Sequence, residues 1–170
     1  YYLNSKGSFG SQIGNSFKKI EKILLKEKPD KLLVLGDTNS SLSAIIAKRL
    51  GIQIYHMEAG NRCFNMNSPE EVNRKIIDHC SDINMPYSKR SAHNLYNEGI
   101  NQKSVFTIGN PITEVIDYFS GSINNSKILN KLKFSKKNYV LVTLHREENV
   151  DNKSILLKLC NNLEIIYKKY

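Results

Sequence analysis

No stretch of apolar residues in the 170-residue sequence approaches the roughly 20 that a membrane-spanning helix needs. Cysteine is scarce. Cys63, Cys80 and Cys160 form no CxxC pair and leave an odd count, which argues against a disulfide framework and suits a reducing cytoplasm. His56, His79, His93 and His145 are too dispersed among those cysteines to make a metal cluster. The formal net charge is +9, yet there is no arginine-rich stripe and no interleaving of basic with aromatic residues. Lysines occur in isolated pairs such as Lys18-Lys19, Lys136-Lys137 and Lys168-Lys169. This is the pattern of a solvated basic surface rather than a nucleic-acid groove, and its field favours an anionic small molecule. No internal repeat is visible. The opening Tyr1-Tyr2-Leu3-Asn4 has neither an initiator Met nor a signal-peptide pattern, and the chain reads as an internal fragment.

Hydrophobic residues make up 40% and charged residues 24% of the chain, an ordinary balance for a globular protein with a real core. Ile13, Phe17, Ile20 and Leu24 recur at helical spacing, and Pro29-Asp30 ends that helix. Leu32 to Leu35 is a short apolar run expected to be a buried parallel strand. A helix with Leu42, Ile45, Ile46 and Leu50 inward follows, stopped by Gly51. Further strands are expected over 52–57, 83–85 and 105–108. Between them the spacing predicts a helix from Pro69 with Val72, Ile76 and Cys80 inward, and another capped by Ser88 and ended by Gly99. Residues 120–138, rich in Ser, Asn, Gly and Lys, read as an inter-domain connection. Tyr139 to Thr143 reads as a new strand, followed by a helix with Ile155, Leu159, Leu163 and Ile166 inward. Strands alternating with helices imply an α/β fold with parallel sheets.

The chemistry-bearing residues gather just past expected strand ends, where open α/β sheets bind ligands. They are Gly36-Asp37-Thr38, Glu58-Ala59-Gly60 and His145-Arg146-Glu147-Glu148-Asn149, joined by Pro69-Glu70-Glu71-Val72-Asn73-Arg74 at a helix start. Carboxylates and an imidazole at such positions suit acid–base work on a bound ligand. Each also has a plainer reading. Asp37 or Thr38 caps the next helix. Glu58 pairs with a surface lysine. Glu70 and Glu71 favour the helix dipole, and Glu70 pairs with Arg74 four residues on. Arg62 and Arg74 contact substrate or carboxylates, or serve as surface cations. His56, on the same face of its strand as Glu58, is more readily a core or supporting histidine than a catalyst. His145 and Arg146 can stabilise charge on a leaving phosphate; the alternative for His145 is a capping or solvent-facing role.

Together, Leu33-Val34-Leu35-Gly36-Asp37-Thr38, His56-Met57-Glu58-Ala59-Gly60-Asn61-Arg62, Pro69-Glu70-Glu71-Val72-Asn73-Arg74, Gly109-Asn110-Pro111 and Leu141-Val142-Thr143-Leu144-His145-Arg146-Glu147-Glu148-Asn149 resemble the non-hydrolysing UDP-N-acetylglucosamine 2-epimerase family. Their order and spacing carry the resemblance across nearly the whole chain. The Asn61-Arg62-Cys63-Phe64 stretch and the His-Arg-Glu-Glu-Asn form are similar to the branch acting on UDP-6-deoxy-L-hexosamines.

The resemblance implies a two-domain, glycosyltransferase-B-like arrangement with UDP in the cleft. In these terms residues 1–119 are an incomplete N-terminal Rossmann-like domain, 120–138 the connection, and 139–170 the beginning of a C-terminal UDP-binding domain. It implies inversion at sugar C2 by elimination and re-addition of UDP, with no cofactor and no metal, for capsule or O-antigen sugar synthesis. Asp37, Glu58 and Glu70 become the acidic set around C2, His145 the group near the diphosphate, and Thr38, Arg62, Arg74, Asn110 and Arg146 the substrate contacts. A cytoplasmic homodimer is implied at full length, with neither nucleic acid nor membrane as partner. Members are about twice as long, so the chain alone is expected to be inactive. A UDP-sugar glycosyltransferase on the same fold and a non-catalytic binding remnant are the alternatives.

Overall fold

A computed structural model describes residues 7–144 and 147–169. The chain divides into two compact units after Asp117. In the first, helix α1 (Phe9–Glu27) begins at Ser8, whose hydroxyl accepts from the Ser11 amide at 3.4 Å. It ends where Lys28 takes a left-handed conformation just before Pro29. Its Ile13, Phe17, Ile20 and Leu24 face the core, as their spacing predicts.

Strands β1 (Lys31–Leu35), β2 (Gln53–Met57) and β3 (Ile83–Met85) form a parallel sheet in the order β1-β2-β3. Val34 pairs with His56 across β1 and β2, and His56 with Asn84 across β2 and β3. Helices α2 (Ser43–Arg49) and α3 (Pro69–Cys80) provide the crossovers, and a 3-10 turn, Asn39–Leu42, leads into α2. The core cluster brings Val34 and Ile54 of the sheet against Leu24, Leu42, Ala44, Ala47 and Ile77. Leu33 and Leu35, whose side chains alternate to the other face, are each 61% exposed.

Residues 105–108 are expected as a strand. They lie along β3 in a strand-like manner, through a parallel bridge from Asn84 to Val105 and amide bonds from Phe106 to Asn84 O and from Ile108 to Pro86 O. The pairing is too short to form a regular ladder. Helix α4 (Lys89–Asn97) starts at Ser88, whose hydroxyl accepts from Ser91 N at 3.1 Å, and Gly99 follows its end with a φ of +85°. Ala92 and Leu95 of α4 pack on Ala59 and Val105.

Leu42 is buried and Ile45 and Ile46 pack half-buried against the core, as expected, beside the buried Ala44 and Ala47; Leu50 instead lies at the exposed C-cap of α2. One helix face differs from the expected one. In α3, Val72 and Ile76 are 37% and 36% exposed, while Glu71, Asn73, Ile77 and Asp78 are buried. The inward side of α3 is polar because its charged groups are hydrogen-bonded there, a possibility that apolar periodicity cannot register.

Helix α5 (Ile112–Tyr118) runs across the division. The second unit contains α6 (Ser120–Asn124), α7 (Ile128–Leu132), α8 (Glu147–Val150) and α9 (Lys153–Lys169). The 120–138 stretch therefore carries two single-turn helices, each too short to display a helical period. Tyr139 to Thr143, expected as a strand, is not one. No described strand of this unit lies beside it to take its backbone hydrogen bonds, and Tyr139 instead stacks on Phe134 with ring centroids 5.8 Å apart. No residue of α9 is buried. Leu159 and Leu163 are half-buried, and Ile155 and Ile166 are exposed.

Candidate active site

The C-terminal edge of the sheet gathers the acidic turns. Gly36 N–H donates to Met57 O at 3.2 Å and Glu58 N–H to Met85 O at 3.2 Å, so both turns continue the strand ladder before leaving it. Glu58 has a φ of +67°, a left-handed conformation that a non-glycine residue rarely adopts and that concentrates at functional sites. That geometry turns its carboxylate back over β1. A methyl group built on Gly36 would lie 3.5 Å from Glu58 Oε2. Glu58 Oε1 accepts from Asn61 Nδ2 at 2.9 Å, and Asn61 is fixed in turn by the Ser91 hydroxyl at 2.9 Å. The Tyr87 hydroxyl, just past β3, is held above its ordinary proton affinity by burial and by the charge of Glu58.

Asp37 does not cap the following turn. Its carboxylate accepts from Arg74 Nε at 2.7 Å, and its backbone carbonyl accepts from Asn73 Nδ2 at 2.9 Å. Thr38 occupies the cap position without a side-chain cap bond; its hydroxyl instead meets the Ser40 hydroxyl at 2.8 Å. Glu70, exposed in the first turn of α3, accepts from the Ser68 hydroxyl at 2.6 Å.

Glu71 is fully buried and accepts from the Cys63 and Phe64 amides at 3.0 and 3.1 Å and from Arg74 Nη1 at 3.1 Å. Burial alone would raise its proton affinity. The amides and the guanidinium overcome that and hold its carboxyl below the usual range. Burial likewise disfavours the charged Arg74, but Asp37 and Glu71 outweigh it and hold the guanidinium more firmly protonated.

Arg62 is expected at either a substrate or a carboxylate, and it meets carboxylates. Its side chain is buried, with Nη2 2.7 Å from Asp78 Oδ2 and Nε 2.8 Å from Glu98 Oε1. These partners offset its desolvation and raise its proton affinity. Asn110 Oδ1 accepts from Ile112 N at 3.0 Å at the start of α5. His145 and Arg146 lie outside the described residues.

The site's interior contains groups that periodicity passes over. His56 is buried with Nδ1 2.7 Å from Asp78 Oδ1 and Nε2 3.0 Å from the Gly36 carbonyl, the supporting role its strand position allows. Asp78 also accepts from Gly60 N at 3.2 and 3.3 Å. Asn84 donates to the Asp78 carbonyl at 3.1 Å, and its own Oδ1 has no partner among the described residues. Only the clustering of Asp78 with His79 and Asp82 at the end of an otherwise apolar-periodic helix could have pointed to this network. Among the described residues no cluster of His, Cys, Asp or Glu could hold a metal, and no helix is long and apolar enough to cross a membrane.

The family model for UDP-N-acetylglucosamine 2-epimerases matches residues 1–170. The chain belongs to the UDP-N-acetylglucosamine 2-epimerase family. A protein of Methanococcus maripaludis named UDP-N-acetylglucosamine 2-epimerase is 44% identical over 175 residues, covering all of this chain and 48% of the relative. Among solved structures, the UDP-N-acetylglucosamine 2-epimerase of Rickettsia bellii superposes with a TM-score of 0.88 at 43% identity, covering 99% of this chain and 44% of that one. The Methanocaldococcus jannaschii UDP-GlcNAc 2-epimerase, solved in complex with UDP-GlcNAc and UDP, gives 0.86 at 38% identity, covering 97% and 46%. These neighbours are glycosyltransferase-B-like, and the α/β class with a parallel sheet is theirs too. The chain spans about half the length of the relatives it matches.

Proposed function

We propose that this chain supplies the acid–base side of an enzyme that inverts C2 of a UDP-2-acetamido sugar. The observation that carries the reading is the convergence of Asp37 and Glu58 from neighbouring parallel strands, with the Glu58 carboxylate over Gly36 and Asp37 fixed by Arg74. The C2 proton is weakly acidic, so its removal must be shared with departure of the leaving group. A carboxylate takes the C2 proton while the C1–O bond breaks and its electron pair leaves with the UDP phosphate oxygen. The electrons of the C2–H bond form a C1=C2 double bond. Return of a proton to the opposite face of C2 and of the UDP oxygen to C1 completes the inversion. The cycle is redox-neutral and balances without a cofactor.

A proton must leave one face and arrive at the other, so two carboxylates are needed. Glu58, which has an amide rather than a guanidinium on Oε1, suits one transfer. Glu70, at the mouth of the α3 N-terminus, suits the other. Asp37, engaged by Arg74, orients the sugar. His145 and Arg146 stabilise the departing diphosphate. The working enzyme is a cytoplasmic homodimer of longer chains that does not act on nucleic acid or membranes.

The test joins residues 1–170 to the complementary segments of the Methanococcus maripaludis relative and follows the fusion by proton NMR in D2O. UDP-N-acetylglucosamine and a UDP-2-acetamido-2,6-dideoxy-L-hexose are supplied separately. Deuterium at C2 of an inverted UDP-sugar is the expected result, and the sugar that exchanges identifies the branch. Sugar transfer to an added acceptor without C2 exchange would replace this reading with a glycosyltransferase. Binding without chemistry would leave a remnant.

A further inference from the structure

We propose that Asp78, acting through His56, is a positioning residue that sets the two acidic turns against each other; the proposal rests on the epimerase reading above. The turns that carry Asp37 and Glu58 follow different strands and share no described backbone hydrogen bond beyond the sheet ladder. Asp78 reaches both. Directly, its two oxygens accept from Gly60 N, two residues past Glu58. Indirectly, its Oδ1 binds His56 Nδ1 at 2.7 Å, and His56 Nε2 binds the carbonyl of Gly36, the residue before Asp37, at 3.0 Å.

Asp78 Oδ2 also meets Arg62 Nη2 at 2.7 Å, while Glu98 takes the far side of that guanidinium. A carboxylate held in a buried, mutually satisfied network has a single arrangement. It passes that arrangement to both turns.

Two variants separate the arms. In His56→Asn the shorter amide retains a donor near the Nδ1 position but has nothing to reach Gly36. In Asp78→Asn one of the two acceptor oxygens becomes an NH2 donor and the charge is lost, so the single remaining oxygen cannot hold both arms as the carboxylate does. In the isotope-labelled 170-residue chain, His56→Asn is expected to displace the amide resonances of Gly36 and Asp37 and leave Gly60 in place. Asp78→Asn is expected to displace Gly36, Asp37, Glu58 and Gly60 together. In the fusion, misplacement of carboxylates by a fraction of an ångström is expected to lower kcat by about 100-fold with KM held within about two-fold, a split that a loss of folded protein would not produce.

An Asp78→Asn spectrum in which Gly36 and Asp37 keep their positions would overturn the proposal. So would an unchanged kcat in either variant. If Asp78→Asn fails to fold, His56→Asn carries the same test on the Gly36 arm. If the parent fusion shows no C2 exchange, the functional reading fails, while the resonances still decide whether one carboxylate couples the two turns.

Discussion

Among the described glycines Gly60 has the least room for a side chain, and Gly60→Ala measures how closely the Glu58 turn is seated. A methyl group there would lie 2.2 Å from the Ser91 carbonyl oxygen, 2.8 Å from Ser91 C and 2.9 Å from Leu95 Cγ. Backbone atoms of α4 cannot swing aside as a flexible side chain would, so the turn or the helix start must withdraw by most of an ångström. Overpacking of this kind costs about 1–3 kcal/mol. Withdrawal also lengthens the Gly60 N–H bonds to Asp78, 3.2 and 3.3 Å long, and a hydrogen bond to a charged group contributes about 1.5–3 kcal/mol. The φ of +75° adds about 1–2 kcal/mol for any L-residue. The expected loss is about 3.5–8 kcal/mol, comparable to the whole stability of many domains. Gly51 provides the control, because its φ is +78° and nothing lies within 4 Å of a built methyl. Gly51→Ala should therefore cost only the backbone part, about 1–2 kcal/mol. Urea unfolding monitored by circular dichroism yields both values at a common slope. Equal losses in the two variants would refute the close seating of the Glu58 turn on α4.

Glu71, whose carboxyl is held below the usual range, adds stability that is fully present above the unfolded carboxylate value of about 4.3 and is lost as pH falls through its lower folded value. Glu71→Gln should destabilise by about 2–3 kcal/mol at neutral pH and flatten the acid limb of a stability–pH curve measured by urea titration. Ile77→Ala, a fully buried site between α3 and the sheet, should cost about 2–5 kcal/mol in the same assay. Glu58→Gln in the fusion should lower C2 deuterium exchange by at least about 100-fold while leaving the unfolding midpoint within error, since Gln keeps the oxygen that accepts from Asn61. Arg74→Lys should retain the charge but lose the geometry that meets Asp37 and Glu71 at once, lowering kcat by roughly 10-fold.

The strands of the first unit were legible because short apolar runs bounded by Gly, Asp and Pro have few other readings. Ser88 and Gly99 likewise announce the ends of α4 through capping chemistry. The acidic turns were legible for the same reason, as charged residues placed directly after such runs. The face of α3 was not. Val72 and Ile76 have the period of a core stripe, and the true inward residues are one position away, at Glu71, Asn73, Ile77 and Asp78. Periodicity scores hydrophobicity, whereas this helix buries charges whose partners lie far away in the chain. Glu71 meets Cys63 and Phe64, and Asp78 meets His56 and Arg62. The Tyr139 to Thr143 strand failed for a different reason. Its composition favours extension, but a strand is completed by its neighbours, and no described one stands beside it.

The polar face of α3 explains how one helix can serve two turns. Residues 71, 74 and 78 are spaced three and four apart and so lie along one face. At 1.5 Å per residue they extend about 10 Å, roughly the breadth of two neighbouring strands at about 4.8 Å each. At the N-terminal end, Glu71 holds the Cys63–Phe64 loop and Arg74 holds Asp37. One turn farther on, Asp78 holds Gly60 and, through His56, Gly36. Apolar residues of equal volume often replace a buried ion pair without loss of stability, but here replacing His56 and Asp78 would strand the Gly60 amide and the Gly36 carbonyl and leave Arg62 with Glu98 as its one carboxylate partner among the described residues. The carboxylate at position 78 is therefore required by the backbone groups around it, and those groups belong to the turns that aim Asp37 and Glu58.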